Sequence, residues 1–279
     1  MGRDGSRRGG REVARPKVGL ALGSGGARGM AHIGVIKVLE RAGIPVDLIA
    51  GSSIGSFVGV LYAGGSDLEM IEQLATHLKR KHWLDVTVPR RGFMTGEKVK
   101  ELVRLLTRGK NLEELSVPTA VVATDLVKGE RVVFRTGPID TAVRASVSIP
   151  GIFEPVQWEG RTLVDGGVID RIPITVLEEM GADLIVAVDV VPRAPAVRVE
   201  NIFDVITQTL SVMERELLNQ RLLAADILIH PDLADISATA FTRVQDCIRR
   251  GEEAAQLQVK RIVNLIESRG GVKGNADSI

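Results

Sequence analysis

The sequence predicts an α/β fold: a single three-layer domain with a mostly parallel central sheet and helices on both faces. Two observations carry this. Short, almost wholly apolar runs, KVGLAL at residues 17–22, VDLIA at 46–50 and DLIVAVDV at 183–190, read as strands buried on both faces. Segments of helical period alternate with them, the grammar of a parallel sheet, and the 279 residues are 44% hydrophobic, enough for one large core.

The elements follow in order. After the first strand, residues 23–29 form a glycine-rich loop. Residues 30–42 are a helix with Ile33, Ile36 and Leu39 on one stripe, stopped by Gly43 and Pro45. The VDLIA strand then turns straight into a helix over residues 52–62. Further helices are expected at 67–81 and 96–106, and strands at 119–124 and 131–135 around the turn signal Lys128-Gly129. A short helix at 140–145 precedes a hairpin of residues 153–158 and 161–164 around Glu159-Gly160. A helix at 174–180, the strand at 183–190 and a loop at 192–198 come next. Residues 202–223 form a long helix with Ile202, Ile206, Leu210, Met213 and Leu217 on one stripe. That stripe reads as core-packed, and part of it is a candidate homodimer face. A last strand at 226–229 and a C-terminal helix at 242–268 complete the fold. The expected organisation is a flexible basic tail at 1–16, one catalytic domain at 17–269 and a flexible tail at 270–279.

Composition narrows the function. The single cysteine, Cys247, excludes an internal disulfide framework and a Cys/His zinc cluster, and it suits a reducing, cytoplasmic compartment. Residues 1–17 carry six basic groups against Asp4 and Glu12, leaving 30 basic and 33 acidic groups in the rest. The body is therefore not a basic nucleic-acid binder. The first 16 residues lack the apolar stretch of a secretory signal. The start Met1-Gly2-Arg3-Asp4-Gly5-Ser6 matches the loose N-myristoylation pattern, which matters only in a host with the transferase. No run approaches 18 apolar residues.

Gly51-Ser52-Ser53-Ile54-Gly55 matches G-x-S-x-G at the point where strand becomes helix. A turn that sharp needs glycines beside the serine and lifts its Oγ above the sheet. The helix N-terminus adds partial positive charge near a developing alkoxide. Ser53 is thus the candidate nucleophile, with Gly51 and Gly55 as its elbow. The competing reading is a Gly/Ser-rich turn of a doubly wound fold. The glycines of Gly23-Ser24-Gly25-Gly26-Ala27-Arg28-Gly29 let backbone N–H groups approach an acyl oxygen. A dinucleotide loop fits less well, because the third glycine of G-x-G-x-x-G falls on Arg28.

Asp165-Gly166-Gly167 follows the strand at 161–164. An Asp there can point into the crevice where α/β sheets hold ligands, although taken alone an Asp-Gly turn is the better reading. Among the histidines, His32 shares the stripe of Val35, Ile36 and Leu39 and reads as packed or capping, while His77 and His82 sit in a charged segment. His230 is the best placed for a triad, but nothing around it resembles a catalytic loop.

The order GSGGARG, AHIGV, GSSIG, ASVSIPGIFEPV and DGGVIDRIPI, from Gly23 to Ile174, resembles the patatin-like phospholipase family, in particular its small bacterial single-domain members. The resemblance implies a Ser–Asp dyad of Ser53 and Asp165, and an oxyanion hole at Gly25, Gly26, Ala27 and Arg28. It also implies a lipid or acyl-ester substrate, hydrolysed without metal or cofactor. Two departures stand out: Ser24 replaces the first of three glycines, and Asp170 replaces a frequent Asn. A second carboxylate at Asp170 raises the pKa of Asp165 if the two lie close together. An unperturbed Asp, near about 3.9, is a weak base for serine, so the dyad needs that pKa raised.

Residues 79–94 (KRKHWLDVTVPRRGFM) interleave Lys79, Arg80, Lys81, Arg90 and Arg91 with Trp83 and Phe93, ending at Met94. They are a candidate lid making a peripheral contact with anionic lipid headgroups, or else a solvated loop whose aromatics pack on the body. Two other functions share this sequence pattern: acyl transfer from the same acyl-enzyme, and non-catalytic lipid binding or regulation on a hydrolase scaffold.

Overall fold

A computed structural model gives the fold and describes residues 15–77, 85, 91–193, 199–218 and 224–272. The expected tails fall mostly outside these residues, as do the N-myristoylation pattern and most of the loop at 192–198. So do His82, Trp83, Arg90 and the rest of 79–84 and 86–90.

The chain runs β1 (Val18–Leu22), α1 (Ala31–Arg41), β2 (Leu48–Ser52), α2 (Ile54–Ala63), α3 (Leu68–His77), β3 (Gly92–Met94) and α4 (Glu97–Leu106). It continues through β4 (Thr119–Asp125), β5 (Glu130–Phe134), α5 (Ile139–Ser146), β6 (Gly151–Phe153), β7 (Val156–Trp158) and β8 (Arg161–Asp165). The remainder is α6 (Ile174–Glu179), β9 (Leu184–Val188), α7 (Ile202–Leu218), β10 (Ile227–Ile229), α8 (Val244–Gln256) and α9 (Val259–Val272).

The main sheet has the order β10-β9-β1-β2-β4-β8-β7, with β5 also on β4. From β10 to β4 all neighbours are parallel, whereas β5 and β8 run antiparallel to β4. Strands β1, β2 and β9 are buried throughout, which explains their unbroken apolar runs. Alternate side chains feed two cores. Leu20, Leu22, Ile49 and Val121 meet α1, α2, α5 and α8 on one face, and Ala21, Ala50, Val122 and Ala187 meet α6 on the other. Helices α1 and α8 approach to backbone contact. A methyl group on Gly34 would stand 2.0 Å from the Ile248 carbonyl, and one on Gly251 would stand 2.1 Å from that of Ala31.

One pairing positions the site. Residues 119–122 of β4 pair with β2, and residues 123–125 pair with β8. Val121 pairs with both β2 and β5, and Ala123 with both β8 and β5. Strand β5 therefore takes one edge of β4, while β2 and β8 share the other and meet end to end. Ser52 lies opposite Val122, and Asp165 lies opposite Ala123. The turn after β2 and the last residue of β8 are thereby brought together across a sequence gap of 112 residues.

Three expectations are corrected. The hairpin begins at Val156, not Phe153: Pro155, which lacks an N–H, separates β7 from β6, and β6 pairs in parallel with β3 in a separate two-stranded sheet. The C-terminal helix breaks into α8 and α9 at Leu257, which is exposed and contributes nothing to the core. On α7, Ile206 packs inward, but Ile202 and Met213 are exposed, so the buried face is rotated from the predicted stripe.

Candidate active site

Ser53 occupies the corner between β2 and α2 with φ 52° and ψ −126°, a left-handed conformation that costs a non-glycine residue energy and must be held by its surroundings. Three bonds hold it. Its N–H donates to Ser146 Oγ at 2.8 Å, the Ser146 hydroxyl donates to the Val122 carbonyl at 2.6 Å, and Ser56 Oγ donates to the Ser53 carbonyl at 2.6 Å. The flanking glycines are required by close approach. A methyl group on Gly55 would lie 2.2 Å from the Leu22 carbonyl, and one on Gly51 would lie 2.5 Å from Ser56 Cα.

The Ser53 hydroxyl donates to Asp165 Oδ2 at 2.5 Å. The second oxygen, Oδ1, accepts the Gly167 N–H at 2.8 Å, so the glycines after Asp165 aim its carboxylate. The Asp165 main chain is clamped as well: its N–H donates to the Ser148 carbonyl at 2.9 Å, and Thr124 Oγ1 donates to its carbonyl at 2.9 Å. Burial pushes the Asp165 pKa up to about 7, outweighing the hydrogen bonds from Ser53 and Gly167. The carboxyl is thus poised near neutrality, as a general base requires.

Both residues face a cavity of about 560 Å³, a volume typical of small-molecule sites. Its walls are mostly apolar: Phe93 and Met94 from β3, Ile152 and Phe153 from β6, and Phe203 and Leu210 from α7. Phe93 meets Phe203 edge-on at 6.0 Å. Among the described parts of residues 79–94, Phe93 and Met94 therefore belong to this wall. Arg144 braces the wall from behind, bonding Ser148 Oγ and the carbonyls of Thr95 and Glu154 while its guanidinium lies 5.5 Å from the Phe153 ring centroid.

The glycine loop supplies another wall. Gly25 and Gly26 line the cavity at the start of a short 3₁₀ turn, where backbone N–H groups have no partner within the turn. Ala27 and the Arg28 side chain bond the segment that follows β10. The Ala27 N–H donates to the Ala238 carbonyl at 2.8 Å, and buried Arg28 donates from Nε to the Ile236 carbonyl at 2.6 Å. The Arg28 side chain thereby ties the loop to residues 236–238.

Among the described residues no histidine lines the cavity. His32 is fully buried, its ring bonds the Gly23 carbonyl through Nε2 at 2.8 Å, and burial lowers its pKa to about 4, so it anchors the glycine loop as a neutral ring. His230 lies 3.7 Å from Asp189, and His77 bonds its own helix at the Gln73 carbonyl.

The comparison with known proteins is decisive: residues 20–178 match the family model of patatin-like phospholipases. The chain belongs to the patatin-like phospholipase family. An uncharacterized NTE family protein of Mycobacterium tuberculosis is 42% identical over 181 residues, covering 64% of this chain and 50% of that one. The lysophospholipase NTE1 of Coccidioides immitis is 38% identical over 186 residues, 64% of this chain and 12% of its own. The chain thus spans about half the length of the mycobacterial relative and a small part of the fungal one. The crystal structure of VipD from Legionella pneumophila shares the fold with a TM-score of 0.62 at 15% identity, over 91% of this chain and 67% of that one.

Two features of this patatin-like site escape the sequence. Ser146 and Ser148 lie in the quoted ASVSIPG motif, yet their roles as braces of Ser53 and Asp165 appear only in the fold. Asp170, the expected modulator, has its carboxylate bound by Arg131 at 2.9 Å, and the acid that shares the cavity with Asp165 comes from another element. It is Glu214 of α7, which lines the cavity and whose ionisation the Asp165 charge opposes. The available signal was an acid four residues after Leu210, on a helix face otherwise turned inward.

Proposed function

We propose that this chain is a serine acyl hydrolase that cleaves carboxylic esters of phospholipids or related acyl lipids through an acyl-Ser53 intermediate. The observation that carries the reading is the 2.5 Å hydrogen bond from Ser53 Oγ to Asp165 at the edge of a largely apolar cavity. Asp165 takes the serine proton as Ser53 attacks the ester carbonyl. The N–H groups of Gly25 and Gly26 receive the oxyanion, each such donor being worth about 2.7–4 kcal/mol in other hydrolases. The apolar walls of β3, β6 and α7 take the acyl chain. The lysophospholipase name of the fungal relative and the family match support a lipid ester over a water-soluble one.

The test is a panel of phospholipids, lysophospholipids and neutral acyl esters, with free fatty acid and transacylated product measured separately. Wild type releases free acid from at least one lipid class, and Ser53→Ala and Asp165→Asn, each folded, do not. Full turnover by Ser53→Ala refutes the reading, and a predominantly transacylated product makes the chain an acyltransferase.

A further inference from the structure

The cavity holds a second carboxyl that the Ser53–Asp165 pair leaves unused. Glu214 projects from α7 into the cavity wall. Its Oε1 and Asp165 Oδ1 converge on one spot: a methyl group built on Gly167 would stand 2.9 Å from the first and 3.0 Å from the second, with Ser24 Oγ at 2.8 Å. A glycine at 167 therefore keeps open a gap across which the two acids face each other. The other charged groups acting on Glu214 are Arg171, before α6, and Asp189, after β9. Arg171 is bound to Asp189 at 2.7 Å, and His230 stands beside that same carboxylate. The Arg171 charge is thus already engaged.

Ester cleavage asks two things of such a pair. One acid must be ionised, to take the serine proton. The other must be protonated, because an alkoxide leaving group departs poorly unless it gains a proton. Neighbouring carboxyls whose surroundings separate their pKa values divide these roles between them. Burial, and then the Asp165 charge, push Glu214 up to about 8, whereas Asp165 stands at about 7. The hydrogen bonds that Asp165 accepts from Ser53 and Gly167 favour its ionised form, and its charge then opposes loss of the proton from Glu214.

We propose that Glu214 is the general acid of this site, protonating the leaving-group oxygen of the ester and recovering its proton from Asp165. This rests on the acyl-hydrolase reading above. Attack joins Ser53 Oγ to the acyl carbon, sends the carbonyl electron pair to the oxyanion and moves the serine proton to Asp165. On collapse the carbonyl re-forms, the bond to the leaving oxygen breaks, and that oxygen takes the Glu214 proton. Asp165 then returns its proton to Glu214 across the Gly167 gap. The site is left with Asp165 ionised, Glu214 protonated, the alcohol released and acyl-Ser53 ready for water.

The experiment compares an alkyl ester with a 4-nitrophenyl ester of the same acyl chain, in wild type, Glu214→Gln and Glu214→Asp. The alkyl leaving group needs a proton and nitrophenolate does not. In Glu214→Gln, turnover of the alkyl ester is expected to fall about a hundredfold or more, the usual size of a general-acid contribution, and the nitrophenyl ester by far less. Glu214→Asp, which keeps an acid, recovers part of the alkyl-ester rate. In wild type, kcat/KM for the alkyl ester rises through pH 7 and falls above pH 8, following the two acids. Equal losses on both esters, no loss on either, or a wild-type alkyl-ester profile without a falling limb overturns the assignment. Ser53→Ala serves as the separate control: if it hydrolyses either ester, the acyl-hydrolase reading itself fails.

Discussion

Asp165 sits where burial withholds the solvation that a carboxylate needs, and its pKa of about 7 measures that cost. Because the folded value lies above the ordinary 3.8, the group contributes fully to stability below about pH 4 and loses that contribution as pH rises through 7. An isosteric amide escapes the loss. Asp165→Asn is therefore expected to be more stable than wild type at pH 8.5 by a few kcal/mol, at about 1.4 kcal/mol per unit of displacement, with the gap closing towards pH 4.5. Urea unfolding at the two pH values measures this, and a gap independent of pH contradicts it. Ser53 was legible in the sequence because its conformation demands nearby glycines, which are written locally. Asp165 was legible only through the order of motifs, since an Asp-Gly-Gly stretch alone reads as a turn. Glu214 left only a faint trace, an acid four residues after Leu210, because its place in the cavity comes from the way α7 lies over it.

The elements that make the site are the ends of β2 and β8, joined by the shared edge of β4 and stitched by the last turn of α5 and the residues after it. Ser146 is the principal stitch, accepting the Ser53 N–H and donating to Val122. Ser146→Ala leaves the buried Ser53 N–H without a partner, a loss of about 1–3 kcal/mol. The elbow is then freed to leave its left-handed conformation, so kcat is expected to fall more than KM changes. Unfolding and steady-state kinetics of one preparation check both, and unchanged kcat contradicts this role. The repeating strand–helix units from β1 to α2, together with β4, α6 and β9, were legible because each carries its own apolar period. The pairing of β3 with β6 was not, because strands of three residues carry too little pattern and their partners lie 59 residues apart. The break between α8 and α9 was hidden by an amphipathic period that runs on through it.

At the scale of the whole molecule, the three-layer plan places the loops after β1, β2 and β9 at the carboxyl ends of parallel strands, where α/β sheets hold their ligands. Helix α7 and the small β3–β6 sheet close that end into an apolar chamber, and His32 fastens the glycine loop beneath it. Among the described residues no helix is long and apolar enough to cross a membrane. The fold class followed from composition and alternation alone, whereas the chamber depended on contacts between distant segments. The central claim is that Ser53, activated by Asp165, is the nucleophile, and it is tested most directly by intact-mass and peptide analysis after reaction with an alkyl fluorophosphonate. The account predicts one adduct, on Ser53, absent from Ser53→Ala and formed much more slowly by Asp165→Asn. An adduct on another residue, or equal labelling of Ser53→Ala, would contradict it.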